Sequence, residues 1–158
     1  MAEAAKTNAM RILDREGVAH TVHLYDSAQG VDGVSVARQL GQDPQAVFKT
    51  LVTQGKSHQF FVFVIPVCET LNLKRAAQAC GEKSVEMLPQ KLLLPTTGYV
   101  HGGCSPVGMK KAFPTFIDET AQLFDTVCVS GGRIGAQVEL APDELCRVTG
   151  ARYAPLTD

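Results

Sequence analysis

Apolar positions change period several times along the chain, and each change marks an element. Met10, Ile12 and Leu13 fall on one face of a stretch that follows Thr7 and Asn8 and stops at Gly17. Thr and Asn satisfy the free amides at a helix start and Gly relieves its end, so the pattern predicts an opening helix. From 20 to 25 the period drops to two and β-branched residues appear, which predicts a strand. Residues 26–33 (DSAQGVDG) are loop chemistry, and 34–40 return to helical spacing before Gly41 and Asp43-Pro44. Residues 47–53 and 59–66 are strand-length apolar runs joined through QGKSH, the length of a hairpin loop.

Leu71, Leu73, Ala76, Ala77 and Ala79 precede Gly81 and predict a helix over 71–80. Residues 84–87 read as a short strand, and 88–94 as a helical turn or two between Pro89 and Pro95. The stretch 98–108 (GYVHGGCSPVG) is too rich in Gly for a regular helix. Residues 115–118, 126–130 and 137–140 read as late strands, and 142–148 as a helix with Pro142 at its start and Gly150 after it. Strands and helices alternate without a β-α-β rhythm, so the expected class is α+β (mixed α/β) and not a doubly wound sheet. No linker, repeat or low-complexity segment interrupts the chain, and 1–158 reads as one domain.

Composition narrows the functional classes. With 158 residues, 45% hydrophobic, the chain can bury a sizeable core, and disorder, collagen and coiled coil are excluded. No apolar run approaches the roughly 18 residues that a membrane span needs. The five cysteines form no C-x-x-C pair, their odd number leaves one unpaired, and the start has no signal-length apolar core, so a reducing cytoplasm is expected. A formal net charge of −1 argues against a general nucleic-acid coat, and DNA is not an expected partner. The charge is segregated, however. Residues 1–48 carry 4 basic and 6 acidic groups, 49–111 carry 8 and 3, and 112–158 carry 3 and 7, so the middle third is a candidate anion-binding region.

His20 and His23 face opposite sides of a strand and cannot share a metal. The sequence has no H-E-x-x-H, P-loop, strand-to-helix G-x-G-x-x-G or G-x-S-x-G elbow, so neither a metal nor a cofactor is expected. Lys49 interrupts the apolar AVFKTLVT; its ammonium either points outward from an alternating strand or anchors a carbonyl, carboxylate or phosphate oxygen. The run Gly102-Gly103-Cys104-Ser105-Pro106 is either a turn or a nest of amides for an oxygen, and Ser130-Gly131-Gly132-Arg133 is open to the same two readings. Tyr25 ends the first strand, as a core aromatic or a substrate contact.

In combination these residues carry a resemblance. The order Tyr25-Asp26, Phe48-Lys49-Thr50-Leu51, Leu71-Asn72-Leu73-Lys74, Gly98-Tyr99, Gly102-Gly103-x-Ser105-Pro106-x-Gly108 and Val129-Ser130-Gly131-Gly132-Arg133 resembles the YbaK-type aminoacyl-tRNA deacylases. These include free-standing Cys-tRNA(Pro) deacylases and are related to the editing domain inserted in bacterial prolyl-tRNA synthetases. The resemblance implies a curved central mixed sheet surrounded by helices, with the site in a cleft. It implies that Lys49 is the catalytic lysine that holds and polarises the ester, and that Gly102, Gly103, Ser105 and Pro106 contact the substrate. Ser130, Gly131 and Gly132 are then another wall, Tyr25 stands against the substrate, and Glu139 is an acidic position near the pocket.

The resemblance further suggests that the thiol of the mischarged Cys attacks its own ester and leaves as a thiolactone, which accounts for the missing enzyme nucleophile. The implied partners are the acceptor end of mischarged tRNA(Pro) and prolyl-tRNA synthetase, which would read tRNA identity for a protein with few basic groups. Two other readings stay open: release of Ala or Ser through an activated water, and a non-catalytic module for tRNA ends or nucleotides.

Overall fold

The computed structural model of the chain describes residues 6–158; the first five positions, part of the start on which the no-leader expectation rests, lie outside the described residues. The elements run α1 (Asn8–Arg15), β1 (His20–Leu24), α2 (Gly33–Leu40), β2 (Phe48–Gly55), β3 (Phe60–Pro66), α3 (Leu73–Cys80), β4 (Val85–Met87), α4 (Leu93–Thr97), β5 (Thr115–Asp118), β6 (Val127–Ser130), β7 (Ala136–Leu140), α5 (Pro142–Thr149) and β8 (Arg152–Ala154). The mixed α+β class is as expected. The strands are divided between a five-stranded mixed sheet in the order β4-β2-β3-β5-β8 and a three-stranded antiparallel one in the order β1-β7-β6. A single parallel bridge, Val47 to Cys128, joins them.

Each face of β3 has its own core, which is why its sequence is apolar throughout rather than alternating. Val62 and Val64 pack between the sheets with Phe48, Val52, Val129, Val138, Leu13 of α1 and Leu145 of α5. Phe61, Phe63 and Ile65 point the other way, to Ala76 and Ala77 of α3 and to Leu156. Phe63 stacks on Phe116 of β5 with ring centroids 5.6 Å apart.

Local signals fixed most helix ends. Thr7 caps α1 by accepting from the Met10 amide, Asp32 caps α2 and Asn72 caps α3, and each of these last two helices ends on a left-handed glycine, Gly41 or Gly81. Asn72 as cap is the reason α3 begins at Leu73 and not at 71. Pro95 does not end its helical segment but sits in the first turn of α4, where its missing amide has no partner to lose. The three-residue β8 was not expected at all.

The feature that places the site is the pairing of β2. Phe48 to Gln54 pair with β3 on one side, but on the other β4 reaches only Thr53 to Gly55, and the bridge to β6 touches only Val47. Between these two attachments β2 has a free edge.

Candidate active site

A cavity of about 490 Å³ lies along that free edge. This explains why consecutive residues from Val47 to Val52, whose side chains alternate between faces, all line it. The opposite walls come from Tyr25 after β1, the turn and first residues of α2, Met87 at the end of β4 and Leu88 after it, the 98–108 loop, and the facing ends of β6 and β7.

Lys49 stands half-buried on this wall, and among the described residues its ammonium has neither an ion pair nor a hydrogen bond. The cavity's carboxylate is Asp32, but its oxygen accepts from the Ser35 amide at 3.1 Å as the cap of α2. Hydrogen bonds from Ser35 hold Asp32 below the usual carboxylate range. Lys49 is therefore a cation in a largely apolar cavity with its charge uncommitted. Next to it, the Thr50 hydroxyl oxygen is the buried side-chain polar atom left without a partner among the described residues.

The two glycine loops divide into residues that reach the cavity and residues that shape it. Gly102, with φ of 88°, and Cys104 line it, as do Tyr25 and Ser130. Gly103, Ser105, Pro106, Gly131 and Gly132 do not. A Cβ on Gly103 would stand 2.9 Å from the Arg133 carbonyl carbon and the Ile134 amide nitrogen, so the two loops meet backbone to backbone there. Ser105 is fully buried, its hydroxyl accepting from the Val107 amide at 3.2 Å. The Val107 carbonyl accepts from Tyr99 Oη at 2.6 Å. A Cβ on Gly131 would meet Ala136 at 3.2 Å, and one on Gly132 would meet Thr7 at 3.1 Å and Tyr99 at 3.2 Å. These glycines are required by close packing around the site.

Glu139, expected near the pocket, lies outside the cavity lining. It is in hydrogen-bond contact with His23 at 2.7 Å and accepts from the Thr126 hydroxyl. The reason is distance along β7, on which residues two apart share a face. Gln137 is in register with Ser130, at the cavity, whereas Glu139, two residues on, is in register with Cys128. Gln137 is 3% exposed, and its amide is fixed by a reciprocal pair with Gln42, at 2.7 and 3.0 Å. Neither Gln42 nor Gln137 stood out in the sequence, although alternation back from Glu139 and pairing with Ser130 was the available signal.

Cys104 is a poor nucleophile in this setting, because burial pushes its thiol up to about 11. All five cysteines are free, and no group of three or more His, Cys, Asp or Glu side chains is placed to hold a metal among the described residues. Among the described residues no helix is long and apolar enough to cross a membrane.

Residues 29–148 match the model of the family described as the aminoacyl-tRNA editing domain. The protein EbsC of Enterococcus faecalis (strain ATCC 700802 / V583), whose name proposes a Cys-tRNA(Pro)/Cys-tRNA(Cys) deacylase, is 44% identical over 153 residues, which cover 96% of this chain and 93% of EbsC. Two solved structures share the fold. One, described as a proposed trans-editing enzyme for prolyl-tRNA synthetase, superposes with a TM-score of 0.85 at 24% identity over 98% of this chain and 99% of the other. The other, the hypothetical protein APE2540, gives 0.88 at 23% over 96% and 100%. A chain that this model matches over most of its length, and that shares 44% of its residues with EbsC, belongs to the aminoacyl-tRNA editing domain family.

Proposed function

We propose that this chain is a trans-editing aminoacyl-tRNA deacylase that removes mischarged Cys from tRNA(Pro). The family and the 44% identity to EbsC support the activity and the substrate. The structural observation that carries the mechanism is the Lys49 ammonium, uncommitted on the wall of an apolar cavity. A half-buried cation on a largely apolar wall, with no carboxylate paired to it among the described residues, is preorganised for an ester oxygen that gains negative charge in the transition state.

Lys49 is the catalytic residue in this reading. The substrate's thiol sulfur bonds to its own ester carbonyl carbon, the bond from that carbon to the ribose oxygen breaks, and the thiol proton ends on that oxygen. Cysteine leaves as a thiolactone. The chain's residues orient the ester and keep water away, which is sufficient, since positioning alone can supply about 7 to 11 kcal/mol of the barrier. Tyr25, Gly102 and Ser130 contact the substrate, while Gly103, Ser105, Pro106, Gly131 and Gly132 hold the two loops in place around it. The whole chain acts as one cytoplasmic editing domain on the acceptor end, with prolyl-tRNA synthetase reading the rest of the tRNA.

The test is deacylation of tRNA(Pro) charged in turn with Cys, Ala, Ser and Pro, by wild type and Lys49→Ala. Release of Cys by wild type and its loss in Lys49→Ala is the expected result. Release of Cys that persists after its thiol is alkylated overturns the thiolactone route in favour of water. No release from any of the four overturns the deacylase.

A further inference from the structure

Positioning lowers the barrier of the thiolactone step, yet a proton still has to travel from the substrate's sulfur to the ribose oxygen. Among the described residues, five ionisable side chains line the cavity: Tyr25 after β1, Asp32 at the start of α2, Lys49 of β2, and His101 and Cys104 of the 98–108 loop. Asp32 is committed as the cap of α2, accepting from the Ser35 amide at 3.1 Å. Burial pushes the Cys104 thiol up to about 11, so it keeps its proton at neutral pH. Lys49 faces the ester oxygen. Of the two that remain, only histidine is a side-chain type that ordinarily takes up and gives up a proton between pH 5 and 8.

The loop holds His101 at a corner. The Gly103 amide donates to the Val100 carbonyl at 3.0 Å, and Gly102 has φ of 88°, the pattern of a type II turn with His101 as its first central residue. That turn fixes the backbone of His101 beside Gly102 and Cys104, which line the same cavity. Its ring is exposed and has neither a hydrogen bond nor an ion pair among the described residues. The other histidines are placed differently. His20 is in hydrogen-bond contact with the Val18 carbonyl at 2.8 Å and His23 with Glu139 at 2.7 Å, and neither these two nor His58 lines the cavity. The charged groups around His101 are Asp32, Lys49 and, on the facing β6–β7 turn, Arg133, whose backbone meets that of Gly103.

We propose that His101 is a further catalytic residue, the carrier of the proton in the deacylation. Its imidazole nitrogen takes the thiol proton as the sulfur bonds to the ester carbonyl carbon. The imidazolium then returns that proton to the ribose oxygen as the carbon–oxygen bond breaks. His101 ends the turnover neutral, so no other reactant is consumed. The inference rests on the deacylase reading above.

The test follows single-turnover release of Cys from Cys-tRNA(Pro) between about pH 5 and 8 by wild type, His101→Gln and His101→Ala. His101→Gln keeps a polar side chain that cannot titrate, and it lowers the rate about 10²-fold at the alkaline end of the range. The defect shrinks toward the acid end, where the wild-type imidazole is already protonated and cannot accept the thiol proton. Added imidazole restores part of the rate to His101→Ala, which a misfolded variant would not allow. Release by His101→Gln that matches wild type, or a defect that neither changes with pH nor yields to imidazole, overturns the role of His101 and leaves the deacylase intact. No release by wild type at any pH overturns the deacylase, and this role with it.

Discussion

The Thr7 hydroxyl donates to the Gly131 carbonyl at 2.5 Å while accepting from the Met10 amide at 3.1 Å. One side chain therefore caps α1 and holds the glycine loop between β6 and β7. Its neighbour Asn8 does the same for the other loop, donating to the Gly108 carbonyl at 3.0 Å. Thr7→Ala removes both bonds and leaves the Gly131 carbonyl short of a donor, so it lowers stability by about 1 to 3 kcal/mol, and Thr7→Ser restores most of the loss. Urea unfolding midpoints measure both; equal midpoints for Thr7→Ala and wild type would contradict the dual role.

Among the described residues Lys49 has no ion-pair or hydrogen-bond partner to lose. Replacing it with Met removes an uncommitted charge from an apolar wall and keeps the stem, so the melting temperature stays level or rises while kcat falls about 10² to 10³-fold. A melting temperature several degrees lower would mark the lysine as structural.

Thr50 is suited to an isosteric test. Its buried hydroxyl oxygen has no partner among the described residues, so Thr50→Val trades an unsatisfied polar atom for a methyl group of the same shape. Stability is unchanged or rises by about 1 kcal/mol in chemical denaturation. A clear loss would show a hydrogen bond to that oxygen.

Cys104 lines the cavity, yet its thiol is raised to about 11 by burial and stays protonated at neutral pH. Iodoacetamide at neutral pH therefore modifies the exposed Cys68 well before Cys104, read by peptide mass analysis. Cys104→Ala keeps release of Cys from tRNA(Pro) within a few-fold of wild type. A loss as deep as that of Lys49→Ala would make Cys104 the nucleophile and displace the substrate's own thiol from that role.

Glu139 makes its contribution on the acid side. Hydrogen bonds from Thr126 and then from His23 hold its carboxyl below the ordinary value of 4.5. A group depressed in the folded state stabilises it above the unfolded value, and that stabilisation is lost as pH falls through the folded one. Wild type therefore exceeds Glu139→Gln in stability above the ordinary carboxyl value of 4.5, and the gap narrows as pH falls below it. A gap that does not change with pH would remove the carboxylate from the explanation.

Helices were legible where the chain writes its own punctuation, as with Thr7 and Gly17 around α1 or Asp32 and Gly41 around α2. The β2-β3 hairpin was legible from two apolar runs and a short polar loop. β8 was not, because three residues carry no period and Arg152–Ala154 are a strand only through parallel pairing with β5. In the site, Lys49, Tyr25, Gly102 and Ser130 could be picked out from the order of the motifs, and the structure brings all four to one cavity. Gln137 could not, since a polar residue in an alternating strand is ordinary until the register shows which neighbour it faces. Motif reading could not show that Gly103, Gly131 and Gly132 also allow the close packing of the loops around the cavity, because that depends on which backbone lies behind each glycine.

The backbone contact at Gly103 has a consequence for redesign. Any side chain there drives the 98–108 loop away from the β6–β7 turn, and with it moves both Gly102 and Ser130. The polar end of the cavity is thus a fixed frame that tolerates little editing. Its apolar walls, Val34, Met87 and Leu93, are separate segments with room to vary. A change in the size of amino acid accepted is to be engineered at those three positions, leaving the frame untouched.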